Sequence, residues 1–221
     1  PPPIYNGLAE ILNPDLISKI PTYSVSTVND LYRCFVIPSG LATDKYITEL
    51  EALPGDRSIV HHILIFEDTT NVPAQLDAAD PGPGYTNFGG TGSNASKLVG
   101  IWVPGQSVNR LPGSMGIKLN ANTNIVIQIH YHGGTIGQTD STEIRFKLSS
   151  TALREVYIDP PLNHSQLDNG PLFIPANTTK TFTAHFTIPI DLSVLAVGPH
   201  MHNIGRSITA YGVTLAQDTI P

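Results

Sequence analysis

Cysteine, charge and long apolar runs are all scarce in this chain of 221 residues, and each scarcity excludes a class of protein. The single cysteine, Cys34, excludes an internal disulfide framework and a zinc ribbon built on cysteines. Twelve Lys and Arg against 18 Asp and Glu give a net charge of −6 without a basic cluster, which argues against nucleic acid as a partner. No stretch approaches the roughly 18 consecutive apolar residues of a membrane span, so we expect none.

Apolar and polar residues alternate with a period of two along most of the chain, which predicts β-strands. In 125–131 the odd positions share an apolar face, and in 179–188 the even positions are mainly apolar. Helix signals are confined to 8–20, interrupted by Asn13-Pro14, and to 74–79. About a dozen short strands separated by Gly, Pro, Asn and Asp predict an all-β fold of antiparallel β-sandwiches. The further strand candidates are 22–28, 31–37, 45–51, 59–67, 97–103, 114–119, 143–149, 155–159, 192–202 and 207–215.

A change in the strand signals near residues 149–154 predicts two domains, 1–150 and 151–221. The second segment is shorter than the ~100 residues of a typical sandwich, so we expect it to be the N-terminal part of an incomplete domain. The longest predicted loop is 80–96, and a loop of that length is usually functional or mobile.

Six of the eight histidines form three close pairs. His61 and His62 lie in an otherwise apolar strand candidate, where an imidazole needs a hydrogen bond or a metal. Because adjacent residues on a regular strand point to opposite faces, a shared metal requires a bulge, a strand end or different ring nitrogens. The alternative is one hydrogen-bonded histidine facing the core and one exposed histidine.

The other two pairs are His130-Tyr131-His132 and His200-Met201-His202. Residues two apart on a strand share a face, so each pair is able to converge on one ion. A solvated strand face is the alternative for either pair alone. Three such pairs in one chain favour a metal site.

The two remaining histidines are predicted to lie at the surface, His185 on the threonine face of its strand candidate and His164 in a turn-rich link. Imidazole ligands with few carboxylates suit copper, zinc, nickel or iron rather than calcium or magnesium. Spacing does not choose among these metals, and a zinc site with three histidines and an open position stays possible.

Five motifs, in this order, resemble the copper type II, ascorbate-dependent monooxygenases, a family that includes peptidylglycine α-hydroxylating and dopamine β-monooxygenases. They run from about residue 30 to 212, and the ordered set is more specific than any one motif. The motifs are Asp30-Leu31-Tyr32-Arg33-Cys34-Phe35, His61-His62-Ile63-Leu64-Ile65-Phe66, Gly100-Ile101-Trp102-Val103-Pro104-Gly105 with Leu111-Pro112, Ile125-Val126-Ile127-Gln128-Ile129-His130-Tyr131, and His200-Met201-His202-Asn203-Ile204-Gly205-Arg206.

The resemblance implies two jelly-roll-like antiparallel β-sandwich domains, each with one copper ion. His61, His62 and His130 would bind the electron-storing copper. His200 and His202 would bind the second copper at the catalytic site, where O2 is activated and a substrate C–H bond is hydroxylated, with ascorbate as the reductant. The family pattern uses only the first histidine of the 130/132 pair, so His132 is expected beside the ligands or exposed.

The chain departs from the family pattern at three places. The family's second copper takes a downstream methionine, and neither Met115 in the first domain nor Met201, which points away from its neighbouring histidines, fills that role. Gly198 replaces an arginine that clamps a terminal carboxylate, so we predict that peptidylglycine is not the substrate. The family counterpart of Cys34 is usually disulfide-bonded, and this chain has no second cysteine.

Two functions follow as hypotheses. The first is a secreted or periplasmic copper monooxygenase that acts on an unknown small or polymeric substrate. The second is a non-catalytic secreted β-sandwich module that binds metal, or binds glycan through the 80–96 loop. Sequons at Asn94, Asn163 and Asn177 bear on this choice only in a eukaryotic secretory route.

Overall fold

The computed structural model describes residues 8–159, 162, 165–199, 201 and 204–220. The chain divides into two compact units, Pro1–Asp159 and Pro160–Pro221. The strand Arg154–Glu155 lies beyond the predicted boundary at residue 150 but within the first unit. The interpretation of the two segments as two sandwich domains stays a prediction.

The described part of the first unit is built from short strands and one helix, and that of the second contains one two-stranded hairpin. In chain order the elements are β1 (Leu16–Lys19), β2 (Tyr23–Ser24), β3 (Leu31–Pro38), β4 (Lys45–Leu53), β5 (Val60–Asp68), α1 (Val72–Ala79), β6 (Tyr85–Thr86), β7 (Lys97–Trp102), β8 (Asn109–Arg110), β9 (Met115–Leu119), β10 (Asn124–Tyr131), β11 (Thr139–Asp140), β12 (Glu143–Ser149), β13 (Arg154–Glu155), β14 (Gly212–Val213) and β15 (Thr219–Ile220).

Two sheets face each other across the core of the first unit. One has the strand order β1-β12-β4-β9-β13, with β8 beside β4, and the other has the order β6-β3-β10-β5-β7. Pairing is antiparallel except between β9 and β13. Buried side chains from both sheets form one cluster, among them Phe35, Ile65 and Ile127 from the second sheet and Leu50 and Phe146 from the first. The all-β fold predicted from the alternation is therefore confirmed.

The central strand of the second sheet, β10, is buried on both faces. Ile125, Ile127, Ile129 and Tyr131 enter the core between the sheets, as their period of two predicts. Val126 packs instead in a smaller cluster on the outer face, together with Cys34 and Tyr85. Alternation places Gln128 and His130 on that outer face as well. The second sheet therefore carries polar side chains on its covered outer surface.

The 80–96 loop, predicted to be functional or mobile, covers part of this outer face, and Arg33 of β3 holds the first part of the loop. The Arg33 guanidinium donates to both carboxylate oxygens of Asp80 at 2.9 and 3.1 Å. It also donates to the carbonyl oxygens of Gly84 at 2.7 Å and Pro83 at 3.1 Å, and to Oγ1 of Thr86 at 3.1 Å. The Arg33 side chain is 7% exposed, so these bonds are largely shielded from water.

The close approach of the loop requires glycine at position 84. Gly84 has φ +75°, and a Cβ there would lie 2.5 Å from the carbonyl oxygen of Cys34. Below this turn, Nε2 of Gln128 donates to the carbonyl oxygens of Asn87, at 2.9 Å, and of Gly90. The loop thus supplies acceptors for a buried amide that would otherwise destabilise the outer face.

The helix prediction for 74–79 is confirmed by α1, whereas the prediction for 8–20 is wrong. Within that range Leu16–Lys19 forms β1, because its backbone pairs with β12. Pro14 lacks the amide hydrogen that a helix interior needs.

Of the strand predictions for the second unit, the one for 207–215 contains β14, whereas those for 179–188 and for the described part of 192–202 are wrong. The 179–188 and 192–199 segments contain no assigned strand. Phe186 and Ile188 are each about half exposed. Alternation predicts which face a strand would bury, but a strand forms only where a neighbouring strand accepts its hydrogen bonds. Within the described residues, no helix is long and apolar enough to cross a membrane.

Cys34 is a free thiol with no exposed surface. Its burial raises the pKa of the thiol from 9.0 to about 11. Since the unfolded chain ionises first as the pH rises, this protonated thiol contributes its full stabilisation below the unfolded pKa of 9.0 and loses it as the pH rises through about 11.

We therefore expect the free energy of unfolding to fall between about pH 8 and about pH 10 by ~1 kcal/mol more in the wild type than in Cys34→Ala. Urea denaturation at the two pH values measures this difference. The comparison isolates the thiol because the alanine variant keeps every tyrosine. Equal pH dependence in the two proteins would contradict the expectation.

Candidate metal centre

A β-bulge in β5 brings the adjacent histidines together. His62 pairs with His130 and Val60 pairs with Tyr131, so His61 is an additional residue in β5 with no counterpart in β10. An extra residue interrupts the strict alternation of a strand and redirects the local side chains. A metal shared by adjacent histidines required a bulge, a strand end or different ring nitrogens. The structure has the bulge.

The rings of His61, His62 and His130 converge on one point of the outer face. Their centroids lie 4.8 to 5.3 Å apart, and one nitrogen from each ring lies within 4.8 Å of the others. The Nδ1 atoms of His61 and His62 are 3.1 Å apart. His61 is exposed, His62 is half-buried and His130 is buried, so the cluster opens to solvent on the side of His61.

Asp30, immediately before β3, and Tyr32, the second residue of β3, hold the ring of His130. Nε2 of His130 lies 3.0 Å from Oδ1 of Asp30, which also accepts a hydrogen bond from the Gly133 amide at 3.2 Å. The hydrogen bond from His130 lowers the pKa of Asp30, although its partial burial opposes the shift. Tyr32 stacks on the His130 ring with centroids 4.1 Å apart and planes 10° apart. Tyr32 in turn makes a T-shaped contact with Phe88 of the 80–96 loop, with centroids 4.8 Å apart.

His132 takes no part in the cluster. Its two ring nitrogens lie 2.8 Å from the carbonyl oxygen of Ser58 and 2.9 Å from that of Gly133. These carbonyls raise the pKa of His132, because they stabilise the form that donates from both nitrogens. The side chain is exposed, as the family pattern led us to expect.

The structure shows the surroundings of some, but not all, of the other predicted site residues. His185 is 81% exposed in its side chain and lies 2.6 Å from Asp168, in agreement with its predicted surface position. His200 and His202, and also His164, lie outside the described residues. At Gly198 a Cβ would meet no atom within 4 Å, and Met201 is 46% exposed.

Sequence reasoning missed the roles of Asp30 and Tyr32, although both lie in a motif that carried the resemblance. Their spacing of two, at the start of an apolar strand, is a local signal for side chains on a common face. The contact between Asp30 and His130 joins residues 100 positions apart. No local pattern identifies such a partner.

The cluster fits a metal ion that prefers imidazole. Nitrogen ligands at ~2.0–2.1 Å from one ion lie roughly 3 to 3.5 Å apart, a range that includes the Nδ1 separation of His61 and His62. The remaining nitrogen separations reach at most 4.8 Å. Copper, zinc, nickel and iron all accept such ligands.

Comparison with known proteins identifies the family. A family model described as copper type II ascorbate-dependent monooxygenase, N-terminal domain, matches residues 17–136. No curated protein matches the chain. The matched segment covers more than half of the chain and includes the bulge, the three converging histidines and Asp30. The chain belongs to the copper type II ascorbate-dependent monooxygenase family.

Proposed function

We propose that this chain acts in the copper- and ascorbate-dependent hydroxylation of a C–H bond, with two separate copper sites. The carrying observation is the bulge that gathers His61, His62 and His130 on the outer face of the second sheet. These three histidines would hold the first ion. His200 and His202 would hold the second, and they are the proposed catalytic ligands.

Copper bound by the first three histidines supplies one-electron transfer between its Cu(I) and Cu(II) states. The ring of His130 is buried and stacked on Tyr32, which limits its movement when the charge of the site changes. His61 is exposed, so a small reductant such as ascorbate has access to that side of the cluster. The arrangement therefore combines a ligand ring that is held in place, His130, with a solvent-exposed side, at His61, that a small reductant can reach.

The proposed overall reaction combines a substrate C–H group, one O2, two electrons from ascorbate and two protons. It yields the hydroxylated product and one water. Because Gly198 offers no cation for a terminal carboxylate, peptidylglycine is not the proposed substrate. We also propose a secreted or periplasmic location.

The test is O2 consumption driven by ascorbate, after copper that is not held by the protein has been removed by gel filtration. We expect about two copper ions per chain in the wild type, and about one in a His200→Ala/His202→Ala double variant that consumes no O2 above background. His185→Ala is the matched control, because it removes an exposed histidine outside the proposed sites.

Copper binding without O2 consumption or product in any preparation, across a panel of small and polymeric substrates, would contradict the monooxygenase proposal. It would favour the non-catalytic binding module. Purification with zinc alone, and no copper uptake, would contradict both proposed copper sites.

A further inference from the structure

We infer that Asp30 is a positioning residue for the first metal centre, where it fixes which nitrogen of His130 faces the ion and adds negative charge behind that ligand. The inference rests on the proposed copper site. Its structural basis is the 3.0 Å contact between Oδ1 of Asp30 and Nε2 of His130.

A neutral imidazole has one N–H donor and one nitrogen lone pair. Since a carboxylate only accepts hydrogen bonds, the contact with Asp30 places the N–H on Nε2 and the lone pair on Nδ1. A metal ion needs that lone pair. The carboxylate therefore selects the tautomer of His130 that presents Nδ1 to the neighbouring histidines.

The orientation of Asp30 is itself fixed. Its Oδ1 accepts from the amide of Gly133, which lies just after β10, the strand that carries His130. Asp30 thus contacts the ligand ring and the backbone three residues further along. These contacts and the stacking of Tyr32 together restrain the ring of His130. Asp30 contacts its edge, and Tyr32 covers one of its faces.

The charge of Asp30 also bears on the metal. A carboxylate hydrogen-bonded to a ligand histidine makes the ring a stronger electron donor and stabilises the higher charge of Cu(II) relative to Cu(I). Asp30 is 64% exposed in its side chain, so solvent weakens this effect without removing it.

Two substitutions separate position from charge. In Asp30→Asn the amide oxygen still accepts from His130 and Gly133, but the charge is lost. In Asp30→Ala both are lost. The control is Asp168→Asn, which makes the same change in a carboxylate 2.6 Å from His185, a histidine outside the cluster.

The experiment measures Cu(I) and Cu(II) affinity by competition with chelators, and the reduction potential of the bound copper, in the full chain. We expect Asp30→Ala to weaken Cu(II) binding by about 10- to 100-fold, Asp30→Asn to weaken it less, and the potential to rise in both variants. Asp168→Asn should leave all three quantities unchanged.

The outcomes separate this inference from the proposed function. If the wild type and His130→Ala bind copper equally well, the proposed site is wrong. If His130→Ala loses copper but both Asp30 variants match the wild type in affinity and potential, the site stands and the inference is overturned. Should Asp30→Ala fail to fold, an unchanged potential in Asp30→Asn still overturns the role of the charge.

Discussion

His130→Ala is expected to weaken copper binding at the cluster of the first unit by more than about 100-fold, a larger effect than that of any residue beyond the ligands. His130 is the buried member of the three and the one whose ring is held by both Asp30 and Tyr32. Its loss leaves two adjacent histidines on one strand. Copper per chain after dialysis against a chelator, and an equilibrium titration, measure the change.

His132→Ala provides a local control for this prediction. It removes an imidazole two residues away whose nitrogens are engaged by the carbonyl oxygens of Ser58 and Gly133. We expect its copper affinity to stay within a few fold of the wild type. An equal loss in both variants would contradict the assignment of His130 as the ligand.

Arg33→Ala is expected to lower the free energy of unfolding by about 2–4 kcal/mol, because it breaks a partly buried ion pair with Asp80 and leaves polar partners unsatisfied. Arg33 donates five hydrogen bonds to Asp80, Pro83, Gly84 and Thr86. The substitution also frees the loop that places Phe88 against Tyr32. Urea denaturation of the two proteins measures the difference.

Arg110→Ala is the matched control, since Arg110 also contacts two chain segments through carboxylates. Its side chain is 51% exposed, and its partners are Glu10 and Glu49. Exposed ion pairs contribute little, so the expected cost is below about 1 kcal/mol. A comparable cost for the two arginines would mean that burial does not set the strength of the Arg33 contacts.

The sequence predicted the first unit better than the second for a physical reason. In 125–131 the alternation coincides with two neighbouring strands, β3 and β5, which accept the backbone hydrogen bonds of β10. In 179–188 the same kind of alternation is present, but the described residues provide no paired strand. A period of two predicts which side chains share a face of a strand. It does not predict whether a neighbouring strand pairs with that segment.

For the site, the sequence predicted the residue types, and it predicted that a metal shared by His61 and His62 would require a bulge, a strand end or different ring nitrogens. It did not show which of these was present, because a bulge depends on the register of β5 against β10. It also gave no role to Asp30, whose contact with His130 forms only when distant strands assemble. The local sequence therefore indicates which residues are candidate ligands, whereas the orientation of their rings depends on the fold.

The additional residue in β5 means that the centre depends on the length of a strand as well as on its residues. Three histidines substituted into a regular pair of strands would leave one of the adjacent pair on the opposite face. Transfer of this centre to another sandwich therefore requires the insertion of a residue opposite the partner histidine. Conversely, deletion of His61 would allow β5 and β10 to pair without interruption, so a relative without the centre could differ by a gap at this position rather than by a substitution.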